Sequence, residues 1–328
     1  MIEKKIRVAI VGYGNLGKGV ENELNKNSDM ELVCIFTRRE PCELKIKSKV
    51  PIVNIKDMLN WKEKIDVVFL CGGSAKDLPE QGPLFASIFN TVDSFDTHAK
   101  ALEYSEKMMK ASRKGDTIAI TSIGWDPGLF SQMRLLIKSI LPKSDIYTFW
   151  GVGVSQGHSD AIRRIEGVKD ARQYTVPRKE AIDKVRNGET PVFTKREMHT
   201  RECYVVIEEG ASKERIENEI KNMPNYFDEY DTTVNFITEK ELLEKHSKLN
   251  HGGFVIGVGE TSKAVKQIVE FSLKLDSNPE FTASVLISYG RAAYRMWNEG
   301  ERGYKNFADI APKYLSSEKY ENIITEIL

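Results

Sequence analysis

Apolar and β-branched residues fall in short runs along the first third of the chain, beginning with Ile6-Arg-Val-Ala-Ile-Val11. Similar runs recur at Glu31–Thr37, Pro51–Ile55, Asp66–Cys71, Asn90–Phe95 and Thr117–Ile123, and each is expected to be a strand. Helical spacing marks Lys18–Asn27, Pro79–Phe89 and His98–Arg113 between them. The last carries Ala101, Tyr104, Met108 and Met109 on one face and stops at Gly115. Strands alternating with helices predict a parallel sheet covered on both faces, with ligands beyond the carboxyl ends of the strands.

After Pro127 a helix to about Leu141 leads into a different texture. Strand-like runs Asp145–Val154, Arg172–Val176, Arg201–Glu208, Thr232–Thr238 and Gly253–Val258 alternate with amphipathic helices such as Ser212–Met223 and Glu239–His246. Lys263–Leu275 fits either state, and its β-branched Val265, Ile268 and Val269 favour a strand. One mixed sheet with helices on one side is expected. A long helix from Asn278 or Pro279 to about Asn298, then a tail to Leu328, is expected to return to the first lobe. The expected class is therefore α/β: a Rossmann-type doubly wound parallel sheet (1–124), a second α+β lobe for substrate and dimerisation (125–277), and a C-terminal helical segment (278–328).

The first apolar run enters a G-x-G-x-x-G turn, and strand before and helix after are the context a dinucleotide site requires. Gly12 permits the tight turn, Gly14 lets the backbone approach a pyrophosphate, and Gly17 lets helix pack on strand. The second strand ends at Thr37-Arg38-Arg39, about twenty residues on, where an NAD enzyme usually presents a carboxylate to the ribose 2′-hydroxyl. A hydroxyl and two guanidiniums suit a 2′-phosphate instead, so NADP is expected; a plain solvated turn is the alternative.

Composition narrows the classes. The chain's 328 residues exceed one ordinary domain. Its 48 basic residues balance 48 acidic ones, so no global field favours nucleic acid or an anionic membrane. Cys34, Cys42, Cys71 and Cys203 show no C-x-x-C spacing, and the five histidines show none that suits a metal. Neither metal nor disulfide framework is expected. Met1 leads directly into the first strand, with no signal peptide or run long enough to span a bilayer, and the cytoplasm is the expected compartment.

Polar groups just after strands are the candidate chemistry. Cys71-Gly72-Gly73-Ser74, Asp93-Ser94-Phe95-Asp96 and Gly124-Trp125-Asp126-Pro127-Gly128 all lie there. Carboxylates at Asp96 and Asp126 suit a cationic substrate, although both also fit helix caps. The second lobe adds Trp150, Ser155-Gln156-Gly157-His158-Ser159, Thr175, His199, Arg201 and His251-Gly252-Gly253. Arg201 opens an apolar strand, where a charge is more often at the surface than on a ligand.

Several stretches closely resemble the meso-diaminopimelate dehydrogenase family: Val11–Gly17, Phe36–Arg39, Gly124–Gly128, Thr148-Phe-Trp-Gly151, Ser155-Gln-Gly-His-Ser-Asp160, Met223-Pro-Asn-Tyr-Phe227 and Leu275-Asp-Ser-Asn-Pro279. The resemblance implies NADP-dependent oxidative deamination at the D-configured centre of meso-2,6-diaminopimelate, giving L-2-amino-6-oxopimelate and ammonia. In reverse this is a reductive amination toward lysine and peptidoglycan precursor. It further implies that Arg201, Thr175 and His251 hold the distal carboxylate and that Asn278 with Asp96 or Asp126 holds the amines. Gln156 and Gly157 with Trp150 would shape the reacting end, and Trp125 would be a further substrate-binding residue; Asp126 and Asp96, or a water held by one of them, are the candidates to take a proton. For the cofactor the same analogy assigns Gly12, Tyr13, Gly14, Asn15, Leu16 and Gly17; Thr37, Arg38 and Arg39; Cys71, Gly72, Gly73 and Ser74; Ser94, Phe95 and Asp96; and Ile123, Gly124, Trp125, Asp126 and Pro127. Gly72 and Phe95 depart from the bulkier or hydroxylated residues expected there. A homodimer, with its contact between about residues 124 and 155, follows by the same analogy.

Two other readings use the same residues. One keeps NADP and changes the substrate, as in a broad D-amino-acid dehydrogenase or a reductase of another dicarboxylate such as dihydrodipicolinate. The other is a redox sensor that binds NADP without hydride transfer. A sensor has no need of the Arg201, Thr175 and His251 set.

Overall fold

Alternation along the first strand decides how the first unit is layered. In the computed structural model, which describes residues 4–327, β1 (Ile6–Val11) sends Ile6, Val8 and Ile10 to one core and Ala9 and Val11 to another. A strand buried on both faces produces this division. There follow α1 (Asn15–Leu24), β2 (Met30–Thr37), β3 (Ile52–Asn54), β4 (Val67–Leu70), α2 (Leu78–Ala86), β5 (Asn90–Asp93), α3 (Ala101–Gly115), β6 (Ile118–Ile120) and α4 (Leu129–Ile140). Then come β7 (Asp145–Trp150), β8 (Gly153–Val154), α5 (Gln156–Ile162), β9 (Val168–Pro177), α6 (Lys179–Arg186), α7 (Lys195–Met198), β10 (His199–Ile207), α8 (Lys213–Lys221), β11 (Asp231–Phe236), α9 (Glu239–His246), β12 (His251–Ser262) and β13 (Val265–Leu275). The chain closes with α10 (Asn278–Asn298), β14 (Gly303–Lys305) and α11 (Tyr320–Ile327).

Two compact units result. Residues up to Gln132 with those from Pro279 onward make one, and Met133–Asn278 the other. The first holds a seven-stranded sheet in the order β14-β6-β5-β4-β1-β2-β3, with every pairing parallel. This is a Rossmann-type doubly wound sheet, and its order turns back at β1 and β4, where such folds bind their ligands. On one face, Val20 and Leu24 of α1 pack with Ala283, Leu286 and Ala293 of α10. On the other, Leu78 and Phe85 of α2 pack with Tyr104 and Met108 of α3.

Differences from the sequence-based expectations have local causes. Helix α1 begins at Asn15 rather than Lys18, because Gly14 is already its N-cap in an extended conformation. The buried stripe of α3 is Tyr104, Met108 and Ser112, while Ala101 in its first turn is exposed. The tail supplies a strand the apolar pattern did not reveal: β14, with only Tyr304 apolar, extends the sheet beside β6.

The second unit contains two sheets, not one. A mixed sheet runs β11-β10-β9-β8 and an antiparallel one β13-β12-β7. The expected single strand Asp145–Val154 serves both, because Gly151 at φ +116° turns the chain from β7 toward β8. A Cβ there would stand 2.1 Å from Thr175 O, so only glycine fits the crossing. Helices α5 and α8 cover the mixed sheet through Ile162, Ile216 and Ile220, and α6 covers the other through Ala181, Ile182 and Val185.

Candidate functional site

The turn after β1 is shaped for a ligand's phosphates. A Cβ on Gly17 would stand 2.2 Å from Gly12 O, whereas one on Gly14 would meet nothing of the protein within 4 Å and would fill open space above the turn. Helix α1 starts there with no side-chain cap and no acid in its first turn, so its N–H groups at Asn15, Leu16 and Gly17 and its positive dipole end suit an anion. Tyr13 is half-buried and anchored by a hydrogen bond from its hydroxyl to Glu21, which is itself buried and accepts the Ser48 N–H at 2.8 Å.

At the end of β2 the Thr37 side chain is buried and its hydroxyl accepts the Arg39 N–H at 3.1 Å. Arg38 and Arg39 are exposed, and Arg38 pairs with Asp77. Asp77 also accepts the Gly73 N–H at 2.9 Å, joining the loops after β2 and β4. The residues present thus fit a phosphorylated dinucleotide.

Asp93 organises the next two loops. It is wholly buried at the end of β5, and its Oδ1 accepts the N–H of Phe95 at 2.9 Å and of Ser122 at 3.1 Å. Its Oδ2 accepts the Tyr104 hydroxyl at 2.7 Å. Loss of solvent pushes this carboxyl up to about 6 against those three donors. Asp96, exposed, donates its N–H to Ser74 Oγ at 3.0 Å, and its side chain makes no cap on the short helix that begins at His98. Asp126 is half-buried in a loop closed by Leu129 N–H on Gly124 O at 2.9 Å. Four of the candidate positions turn their side chains inward: Cys71, Phe95, Ile123 and Trp125 are buried. Phe95 stacks on Tyr104 and Trp125 meets Phe130 edge-on. The Phe95 ring therefore faces the core, and its N–H is taken by Asp93.

Asp93 also makes stability depend on pH. Its folded pKa lies above the ordinary 3.8, so its contribution is fully present below about pH 4 and is lost as pH rises through about 6, by about 3 kcal/mol. In Asp93→Asn the loss of urea stability between pH 4 and pH 8 should shrink by about that amount. An unchanged difference between variant and wild type would remove Asp93 as the source.

In the second unit a transverse row of residues crosses the mixed sheet. Gly153 of β8 pairs with Thr175, Thr175 with Arg201, and Arg201 with Thr232. Arg201, whose place at a strand head would by itself suggest the surface but which the family resemblance assigns to the substrate carboxylate, is only 7% exposed. Its guanidinium donates to the Thr175 hydroxyl and lies 4.0 Å from the centre of the Tyr230 ring. Burial draws its pKa below the ordinary value, with Tyr230 opposing. Nε has no partner, and among the described residues no carboxylate pairs with this cation. His251 lies over Gly153, where an added Cβ would stand 2.3 Å from its Cγ. The row therefore gathers Thr175, Arg201 and His251.

Gln156 and Gly157 are exposed at the start of α5, which Ser155 caps. Trp150 is 38% exposed. Asn278 opens α10 with its N–H on Leu249 O at 2.8 Å. Asp77, Glu21 and Tyr230 were not recognised from sequence as part of these sites, and Asp93, named in the stretch after β5, was given no role of its own. For Asp93 a signal existed, a charge inside the strand run Asn90–Phe95; Tyr230 lies in an irregular segment with no periodicity to read. The described residues include no metal-ligating cluster and no helix long and apolar enough to cross a membrane.

Comparison with known proteins follows the same geometry. Residues 124–277 match the family described as Diaminopimelic acid dehydrogenase C-terminal domain. The chain is 56% identical to a meso-diaminopimelate D-dehydrogenase of Ureibacillus thermosphaericus, over 99% of both proteins. Corynebacterium glutamicum DAP dehydrogenase in complex with DAP superposes with a TM-score of 0.93 at 44% identity, covering 99% of this chain and 100% of its own. An engineered D-amino acid dehydrogenase bound to NADP+ gives 0.89 at 43% identity, with the same coverage of each chain.

Proposed function

This chain belongs to the meso-diaminopimelate D-dehydrogenase family, and we propose a division of labour among its residues for that reaction. The enzyme carries out the NADP-dependent oxidative deamination of meso-2,6-diaminopimelate at its D-centre, and the reverse amination. One observation carries the substrate assignment: the Arg201 guanidinium is buried with a hydroxyl and an aromatic face but no carboxylate of its own. A desolvated cation left so costs several kcal/mol, which a substrate carboxylate offsets. Arg201, Thr175 and His251 hold the distal carboxylate, and Asn278 with Asp96 or Asp126 holds the ammonium groups. Gln156, Gly157, Trp125 and Trp150 bound the reacting end.

Bound at the α1 N-terminus, NADP supplies the acceptor for the hydride that leaves the substrate carbon. Asp126 or Asp96 takes the ammonium proton, since the hydride departs only when the nitrogen lone pair is free to form the imine, and water then adds to the imine carbon, supplying the keto oxygen and releasing ammonia. Asp93 keeps both carboxylates' loops in place through Phe95 and Ser122. Mixing the protein with meso-diaminopimelate and NADP should raise the near-ultraviolet absorbance of NADPH and release ammonia in equal amount. Comparable turnover of D-alanine would favour the broad D-amino-acid reading, because a site built to pair polar groups disfavours substrates lacking them by roughly 10⁴.

Thr37, Arg38 and Arg39 select the 2′-phosphate. Arg38→Ala with Arg39→Ala should weaken NADP binding roughly 100-fold, two charge-assisted bonds' worth, and leave NAD binding unchanged. Equal weakening of both cofactors would overturn that role.

The active form is a homodimer in the cytoplasm. Leu135, Leu136 and Ile140 are exposed on α4, between residues 124 and 155, and support the subunit contact; three buried thiols and one exposed one support a reducing compartment.

A further inference from the structure

We propose that His199 is a positioning residue for the dehydrogenase reaction, seating Trp150 at the substrate by accepting its backbone N–H and stacking on its indole. This rests on the reading above for Trp150, and goes beyond it in naming what holds the ring. Trp150 ends β7, the edge strand of the antiparallel sheet, one residue before the crossing to β8. An N–H on the outer side of an edge strand needs a partner once buried. His199 Nε2 accepts the Trp150 N–H at 2.9 Å, and the two rings stack at 5.4 Å and 30°. His199 opens β10 in the other sheet of the same unit, two residues before Arg201 and on the same buried face of the strand.

A single strand thus carries the cation that takes the substrate's carboxylate and the acceptor that fixes the indole. Both depend on one register. The accepting Nε2 places the ring proton on Nδ1, a neutral tautomer. Burial and the neighbouring Arg201 charge hold protonation down to about 3, so His199 does not become a second cation at the site.

The test compares His199→Phe, which keeps the stack and removes the acceptor, with His199→Gln, whose amide reaches the position of Nε2. In the first, KM for meso-diaminopimelate should rise roughly tenfold, the worth of one hydrogen bond, with the Kd for NADP unchanged. The second should restore most of the loss in KM, short only of what the ring stack contributes. A purely structural role predicts no such rescue: equal KM in the two variants, or a wild-type KM in His199→Phe, overturns the proposal. His199→Asn, too short to reach, replaces His199→Phe should the latter not fold. Trp150 fluorescence, isolated from the other three tryptophans by subtracting Trp150→Phe, should shift to the red in His199→Phe and not in His199→Gln. That readout stands without turnover, so it separates failure of the positioning role from failure of the substrate assignment; an unshifted spectrum counts against the proposal.

Discussion

Arg201→Ala should raise KM for meso-diaminopimelate roughly 10³-fold, about 4 kcal/mol, with NADP binding unaffected. The magnitude follows from where the cation sits. At 7% exposure water cannot replace the lost guanidinium, so the substrate carboxylate would be desolvated without its counter-charge. Arg201→Lys should recover only part of the loss. A lysine brings the charge, but its ammonium lacks the planar fork that reaches the Thr175 hydroxyl and leaves Nε for the ligand. Saturation curves for both variants, with NADP titrated separately, check this. A KM within a few-fold of wild type in Arg201→Ala would show that the carboxylate binds elsewhere.

Asp126→Asn should lower kcat roughly 10²- to 10³-fold, the usual worth of a positioned acid–base group, again with NADP affinity intact. The substitution is nearly isosteric, and backbone hydrogen bonds hold the loop. Phe130 N–H on Trp125 O at 2.8 Å and Leu129 N–H on Gly124 O hold it from the backbone. Gly128 at φ +118°, with room for no Cβ beside Gly124 O, fixes the return of the chain. A fall in kcat with a preserved Kd therefore reports chemistry. Unchanged turnover would take Asp126 out of the proton transfer and leave Asp96, whose Asn variant is the matched comparison.

Much of the nucleotide-binding unit is legible because its signals are local. Strand, glycine turn and helix follow one another between Ile6 and Leu24, and each glycine's role depends on atoms a few residues away or on the neighbouring strand end at Cys71. The second unit is less legible. Asp145–Val154 reads as one apolar run, and nothing in its pattern marks the division at Gly151 between two sheets. Arg201 shows the limit most clearly: at the head of an apolar strand it has the appearance of a surface charge, and its burial comes from Thr175 on one side and Tyr230 on the other, distant in sequence.

The amino-acid sequence alone determined the parallel α/β sheet, the dinucleotide turn, the preference suggested by Thr37-Arg38-Arg39 and the residues that carry the family resemblance, since periodicity, glycine placement and short motifs act over a few residues. Only the tertiary structure decided which polar groups meet. Strand register aligned Gly153, Thr175, Arg201 and Thr232 in a row, burial raised Asp93 and suppressed His199 as titrating groups, and His199 came to hold Trp150 across two sheets. Register and desolvation arise from contacts between segments far apart in the chain, which no local pattern encodes.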